Sequence, residues 1–245
     1  MPLPNFLILG ETKCGTTSMY DNIIQHPQIL PTKGNGNDLS VDATVPLGVK
    51  ELRFFDRNYN KGWDWYRDCF PECPEGSITG EATPMYLHRA LALQRIASVM
   101  KDVKLILMFR DPAKRLVSHY HHIGSINPAW YDKYPTIESF WNTAAEEDYH
   151  LIDKGIYWKT VMQVATTFKE DKQMLVIISE DLFEEPDKIF SDVFEFLGVD
   201  SDVKIKAQHS RKNKYKTKVP TEIKDFYEPH NRKLERVLER KLWRE

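Results

Sequence analysis

The sequence predicts an α/β fold: a single domain over residues 1–245, with a central parallel β-sheet flanked by helices and a P-loop-like anion-binding loop. Three observations predict it. The apolar run Phe6–Leu9 breaks at Gly10 and leads through a polar loop into Gly15-Thr16-Thr17-Ser18, the hydroxyl-rich start of a helix. Two more unbroken apolar runs, 105–109 and 174–178, alternate with helical stretches, as in a parallel sheet covered on both faces. No Ser/Gly/Pro-rich linker divides the chain, so its length reads as one domain.

The elements follow in order. Phe6–Leu9 is a buried strand, and Thr16–Gln25 a helix stopped near Pro27. Residues 31–48 hold Gly34, Asn35, Gly36, Asn37 and Gly48 with few large apolar groups, and read as a long surface loop. Ser77–Gly80 is a second strand with Glu81 just after it. Positions 87, 90, 91, 96, 97 and 100 form an apolar helical stripe over Leu87–Met100. Lys104–Phe109 is a strand; Asp111-Pro112 then supplies an N-cap and a first-turn proline for a helix to about Ile123. Ile137–Glu146 and Ile156–Phe168 are helices, Met174–Ile178 a strand, and Ile189–Leu197 a helix ended by Gly198. Thr221–Leu242 is helical with a break near Pro229. In such a fold ligands bind beyond the carboxyl ends of the strands.

Composition narrows the partners. Hydrophobic residues at 41% and charged residues at 29% suit a globular enzyme. A net charge of −2 argues against a surface that grips nucleic acid, while leaving room for a local basic patch. Three cysteines make no disulfide framework; Cys69 and Cys73 either pair or stay reduced. With no signal peptide and no run of 18 apolar residues, the chain has no membrane segment and reads as cytoplasmic. Its first strand begins almost at once, so it also reads as a catalytic domain from a longer, anchored protein. His119, His121 and His122 lack the spacing and partner carboxylate of a metal site, so no metal is expected.

Three segments carry chemistry. Strand, tight loop and helix start place backbone N–H groups and a positive dipole end at one point, which makes Thr12–Ser18 an anion site. Gly10 and Gly15 have the spacing of a Walker-type loop, but Thr16 stands where a nucleotide triphosphatase has lysine; the lysine here is Lys13. Arg110 ends a buried strand and Ser118 lies two turns into the next helix, a pair able to hold a second phosphate. Glu81 follows the strand expected beside the anion loop, where a carboxylate is unfavourable unless it accepts a proton from an attacking group. His121 or His122 faces the acceptor or lies on plain helix surface.

Together these segments resemble the sulfotransferase superfamily that uses 3′-phosphoadenylyl sulfate (PAPS), and its heparan-sulfate-type and bacterial-type branch in particular. Thr12-Lys13-Cys14-Gly15-Thr16-Thr17-Ser18 looks like the family's 5′-phosphosulfate loop, and Arg110 to Arg115 with Ser118 like its 3′-phosphate motif. Lys50-Glu51-Leu52-Arg53-Phe54-Phe55 resembles a segment whose lysine the family places near the reacting group. Gly80 to Tyr86 resembles the segment with the family's catalytic glutamate. Gly155-Ile156-Tyr157, Ser179 to Leu182, Phe196 to Gly198 and Phe226 to Asn231 follow in family order. Residues 32–49 look like an insertion near the acceptor site. The stretch 209–220 replaces a glycine-bearing cofactor loop with bases, and is either a solvated loop or a flap, with Arg211, Lys212 and Lys214 as its cofactor contacts.

The resemblance implies sulfuryl transfer from PAPS, leaving 3′,5′-ADP, by in-line displacement and without a metal. Lys13, the loop N–H groups and Lys50 meet the charge on the leaving oxygen, and Glu81 takes the acceptor's proton. Arg53, Phe54, His121, His122 and Tyr157 are acceptor contacts. The net charge tilts the acceptor toward a small molecule; a glycosaminoglycan or other oligosaccharide is the alternative, with Lys33, Lys50, Arg53, Lys61 and Lys133 as its basic groove. An atypical P-loop kinase and a non-catalytic anion-binding protein are the more distant readings.

Overall fold

The computed structural model describes residues 3–33, 50–147, 150–168, 171–208 and 217–243. Five strands form one sheet: β1 (Phe6–Gly10), β2 (Ile29–Leu30), β3 (Ile78–Ala82), β4 (Lys104–Phe109) and β5 (Met174–Ile178), in the order β2-β3-β1-β4-β5. β1 pairs in parallel with β3 and with β4, and β2 in parallel with β3. Phe6 through Leu9 and Leu105 through Phe109 are wholly buried, which is why those runs carry no polar break. Each such side chain contributes about 1.5–3 kcal/mol by leaving water.

The helices are α1 (Thr16–Ile23), α2 (Gly62–Asp68), α3 (Ala90–Val99), α4 (Pro112–Ile126), α5 (Ala129–Lys133), α6 (Ile137–Glu147), α7 (His150–Asp153), α8 (Tyr157–Phe168), α9 (Ser179–Glu184), α10 (Pro186–Leu197) and α11 (Thr221–Leu238). Chain contacts divide the molecule into two compact units, Met1–Met108 with Val164–Arg211, and Phe109–Gln163 with Lys212–Glu245. The first holds the sheet, α1 packed on β1 and β3, and α9 and α10 packed on β5. The second has its own apolar core, in which Leu116, Tyr120, Phe140, Ile152, Ile223 and Tyr227 meet. Asp111 caps α4 as its sequence predicts, its Oδ1 accepting from the N–H groups of Ala113 (2.9 Å) and Lys114 (3.0 Å).

Three expectations shift. β3 runs on to Ala82, so Glu81 lies inside the strand rather than after it. The stripe from residue 87 becomes a 3₁₀ turn, Pro84–His88, before α3, because Pro84 fixes the first turn and Arg89 is extended. α11 passes through Pro229 without ending: Ile223, Tyr227 and Leu234 are buried on both sides of the proline and hold the helix as one piece. The two-residue β2 and the short α2, α5, α7 and α9 are too brief for a periodic signal.

Candidate active site

The anion loop leaves the carboxyl end of β1. Its first residue is fastened to the neighbouring strand, the Glu11 N–H donating to the Met108 carbonyl at 2.8 Å. Lys13 (φ 71) and Gly15 (φ 84) are both left-handed, two residues apart. That geometry turns successive N–H groups toward one concavity, a backbone nest for an anion. Gly15 is also the N-cap of α1, so the loop empties onto a helix N-terminus, with Thr16, Thr17 and Ser18 forming its first turn. A methyl at Gly15 would be strained by its φ and would lie 3.5 Å from Met108 Cε. From behind, the buried Ser179 hydroxyl donates to the Cys14 carbonyl. The Glu11 carboxylate accepts from the Thr12 N–H and pairs with His88 on the Pro84–His88 turn. This donor set, with the Lys13 ammonium, fits the phosphosulfate end of a nucleotide.

Beside β1 the carboxyl end of β3 carries the second group, since Ile8 and Ala82 are in register. Residues 50–53 run along that end. The Lys50 carbonyl accepts from the Ala82 N–H at 2.8 Å, and the Arg53 N–H donates to Thr83 Oγ1 at 3.3 Å. The Lys50 ammonium pairs with Glu51 at 2.7 Å; the Glu51 side chain is 43% exposed and that of Lys50 13%.

Glu81 differs from its expected setting. It is wholly buried, and its two oxygens accept four hydrogen bonds: from Tyr66 Oη (2.7 Å), Tyr86 Oη (3.0 Å), Thr83 Oγ1 (2.6 Å) and the Leu52 N–H (3.2 Å). Loss of water pushes its pKa up to about 7, against the lowering effect of those four bonds. Both oxygens of this carboxylate are occupied by donors, an enclosed setting in place of the open one expected for a proton acceptor. Sequence alone pointed to a carboxylate at this edge, and the neighbouring Glu51 is the exposed one.

The expected acceptor contacts are also revised. Phe54 is fully buried, stacked on Tyr66 at 4.3 Å between ring centroids and packed on Phe55 and Trp63. The Arg53 guanidinium is committed to Asp56, to which its Nε donates at 2.9 Å and 3.0 Å. In the second unit Tyr157 is buried and stacks on Phe109 at 4.3 Å. His121 is partly exposed, with Nε2 2.6 Å from Thr217 Oγ1 and Nδ1 3.2 Å from Tyr131 Oη, and burial lowers its pKa. His122 is also half-buried, and its ring lies 6.4 Å from that of His119. Arg110 directly follows β4, and Ser118 lies within α4; both are half-buried. Arg211, Lys212, Lys214 and residues 34–49 of the expected insertion lie outside the described residues. Cys14, Cys69 and Cys73 are free thiols, which decides the cysteine question for the reduced form. Ser179, Tyr66 and Tyr86 stand in or near segments that the sequence singles out, but their contacts with the loop and with Glu81 are not legible there, because only the fold makes them.

The family model of the sulfotransferase domain matches residues 3–238. Human heparan sulfate glucosamine 3-O-sulfotransferase 3B1 is 35% identical over 202 residues, covering 80% of this chain and 46% of that protein. Human bifunctional heparan sulfate N-deacetylase/N-sulfotransferase 3 is 31% identical over 209 residues, 80% of this chain and 22% of that one. Membrane-associated sulfotransferase kil1 of Dictyostelium discoideum is 31% identical over 157 residues, 63% and 30%. The chain thus spans less than half the length of these relatives. The crystal structure of a sulfotransferase from Alicyclobacillus acidocaldarius superposes with a TM-score of 0.75 at 24% identity, over 99% of this chain and 98% of that one, a likeness of fold.

These relatives overturn the cytoplasmic expectation: one is membrane-associated by name, and two are named for heparan sulfate. Among the described residues no helix is long and apolar enough to cross a membrane, and that property describes the domain's own segments, not its compartment. The match over nearly the whole chain, on a sheet that carries a left-handed anion nest where its first strand ends, means that the chain belongs to the sulfotransferase family.

Proposed function

We propose that this domain transfers a sulfuryl group from PAPS to an acceptor hydroxyl or amine, with a saccharide hydroxyl as the acceptor. The observation that carries the reading is the nest at Lys13 and Gly15 opening onto α1, with Lys13 in place of a Walker lysine. PAPS supplies the activated sulfuryl group and leaves as 3′,5′-ADP. Lys13 and the N–H groups of Gly15 to Ser18 bind the 5′-phosphosulfate and take up charge on the bridging oxygen. Arg110 and Ser118 hold the 3′-phosphate, the feature that separates PAPS from ATP. Arg211, Lys212 and Lys214 remain proposed contacts over the nucleotide.

Proton removal falls to Glu51 in this reading. Its side chain is 43% exposed, it stands at the same sheet edge as the loop, and its carboxylate pairs with the Lys50 ammonium. A positioned base contributes about 10²–10⁴-fold. Glu51→Gln is expected to cut turnover at least about a hundredfold while 3′,5′-ADP affinity stays within a few-fold.

The saccharide acceptor is supported by the names of the relatives, which act on heparan sulfate glucosamine in one case. A small-molecule acceptor is the second reading, favoured by the net charge of −2. An acceptor screen with labelled PAPS, comparing heparan-type oligosaccharides with small alcohols, phenols and amines, decides between them. The cofactor itself is tested by melting: 3′,5′-ADP at 100 times its Kd should stabilise the fold by about 2.7 kcal/mol. Protection by Mg-ATP and none by 3′,5′-ADP would instead favour a kinase.

A further inference from the structure

Glu81 is a buried ionisable group that the chemistry proposed above leaves unused. Glu81 is the centre of a cage whose walls come from four places in the chain: Leu52, Tyr66 on α2, Thr83 just past β3, and Tyr86 on the 84–88 turn. Three of its four donors are side-chain hydroxyls. The fourth is the backbone N–H of Leu52, one residue from Glu51 and two from Lys50. On either side of that bond the strip is fixed again: Lys50 through its carbonyl to Ala82, Leu52 through its carbonyl to Asn58 Nδ2 (2.8 Å), and Arg53 through its N–H to Thr83. Thr83 serves both sides, accepting from Arg53 and donating to Glu81. The Tyr86 hydroxyl also accepts from the Phe55 N–H at 3.4 Å.

We propose that Glu81 is a positioning residue, which through the Leu52 N–H holds the Lys50–Glu51 pair at the sulfuryl-transfer site. The inference rests on the sulfotransferase reading for the site, but its test does not require turnover. Burial makes that hold depend on pH as well. The cage strips the carboxyl of water, and its pKa of about 7 means that four hydrogen bonds do not fully replace the lost hydration. When the strip opens, water returns and the ordinary acid value with it. Opening is therefore favoured as pH rises from about 4.5 to about 7 and levels off above that. The other ionisable groups facing Glu81 do not titrate in this window. Burial holds Tyr66 and Tyr86 well above 10, raises Tyr20 on α1, and pushes the Cys69 thiol to about 11 even with Lys61 drawing it down.

The test is amide hydrogen exchange of the intact chain from pH 5 to pH 8, corrected for intrinsic exchange, alongside calorimetric titration with 3′,5′-ADP. In wild type, protection of residues 50–55 should fall by up to about tenfold per pH unit below pH 7 and then flatten. In Glu81→Gln the profile should be flat, exchange of 50–55 faster at pH 5, and α1 and β4 unchanged, with 3′,5′-ADP affinity within about threefold of wild type. Tyr66→Phe keeps the carboxyl and removes one donor; it should move the transition to higher pH, and it answers the question if the glutamine variant does not fold. A Glu81→Gln variant whose residues 50–55 exchange as in wild type overturns the inference, as does a variant that loosens α1 and β4 together with the strip. Wild type that binds no 3′,5′-ADP while the variant loosens only the strip sinks the sulfotransferase reading and leaves the brace standing.

Discussion

The hydroxyl of Ser179, the first residue of α9, donates to the carbonyl of Cys14 across 165 positions of sequence. Both residues are buried. The bond fixes the carbonyl of Cys14, the one residue between the two left-handed residues of the anion loop, Lys13 and Gly15. With this carbonyl held toward β5, the neighbouring N–H groups are left to face the anion.

Ser179→Ala should therefore weaken nucleotide binding without unfolding the domain. A buried carbonyl that loses its partner costs about 1–3 kcal/mol. Part of that cost is relieved by a turn of the peptide, which spoils the nest. Titration calorimetry should show 3′,5′-ADP bound about five- to 150-fold more weakly. Unchanged affinity would mean that the loop holds its shape without Ser179.

Gly15→Ala attacks the same loop through the backbone. At φ 84 an alanine costs about 1–2 kcal/mol, and its methyl meets Met108 Cε at 3.5 Å, an ordinary contact. Strain, not collision, is the cause, so the fold should survive. Melting is expected to drop by a few degrees, and the 3′,5′-ADP-induced rise in Tm should shrink. A variant as stable and as responsive as wild type would show that the left-handed conformation is dispensable.

How far the sequence alone reaches is visible in this loop and its neighbour. The loop was legible because its signals are local: an apolar strand, Gly10, a lysine and a helix start follow one another within a dozen residues. β4 and the Asp111 cap were legible for the same reason. Glu81 reads as a carboxylate at the correct sheet edge, yet its enclosure does not. Whether a carboxylate is open or enclosed depends on Tyr66 and Tyr86, and nothing in the spacing of 66, 81 and 86 shows that their hydroxyls converge. Phe54 was misplaced by the same limit: an aromatic next to charged residues reads as a ligand wall until Tyr66 is stacked on it.

The enclosed carboxyl makes global stability depend on pH. Glu81 has a raised pKa in the fold, about 7 against an ordinary 4.5. The folded state thus binds more protons than the unfolded one in that interval, and stability falls as pH rises through it. The contribution is complete below about 4.5 and gone above about 7, and amounts to about 3 kcal/mol at 1.36 kcal/mol per unit. Glu81→Gln removes it. Urea unfolding at pH 5 and pH 8 should show the variant gaining on wild type by roughly that amount as pH rises. A difference independent of pH would mean that Glu81 ionises in the fold as it does in water.

Gly80, next to Glu81, tests the pairing that places the cage beside the loop. Gly80 is in register with Phe6 of β1. A Cβ at Gly80 would lie 2.5 Å from the Phe6 carbonyl oxygen and 2.6 Å from its ring. The ring can turn; the carbonyl belongs to β1 and cannot move without breaking the β1–β3 ladder. Overpacking of this kind costs about 1–3 kcal/mol, and a backbone obstacle puts it at the upper end. Gly80→Ala should accordingly lower Tm by about 5–10 °C at about 2–4 °C per kcal/mol. It should also weaken 3′,5′-ADP binding, because any shift of β1 against β3 moves the start of the anion loop. Serine at the same position should be at least as damaging, since its hydroxyl would enter a site with no room for a methyl. If alanine left both Tm and affinity unchanged, the close approach of β3 to Phe6 would be wrong, and with it the placement of the Lys50–Glu51 strip beside the loop.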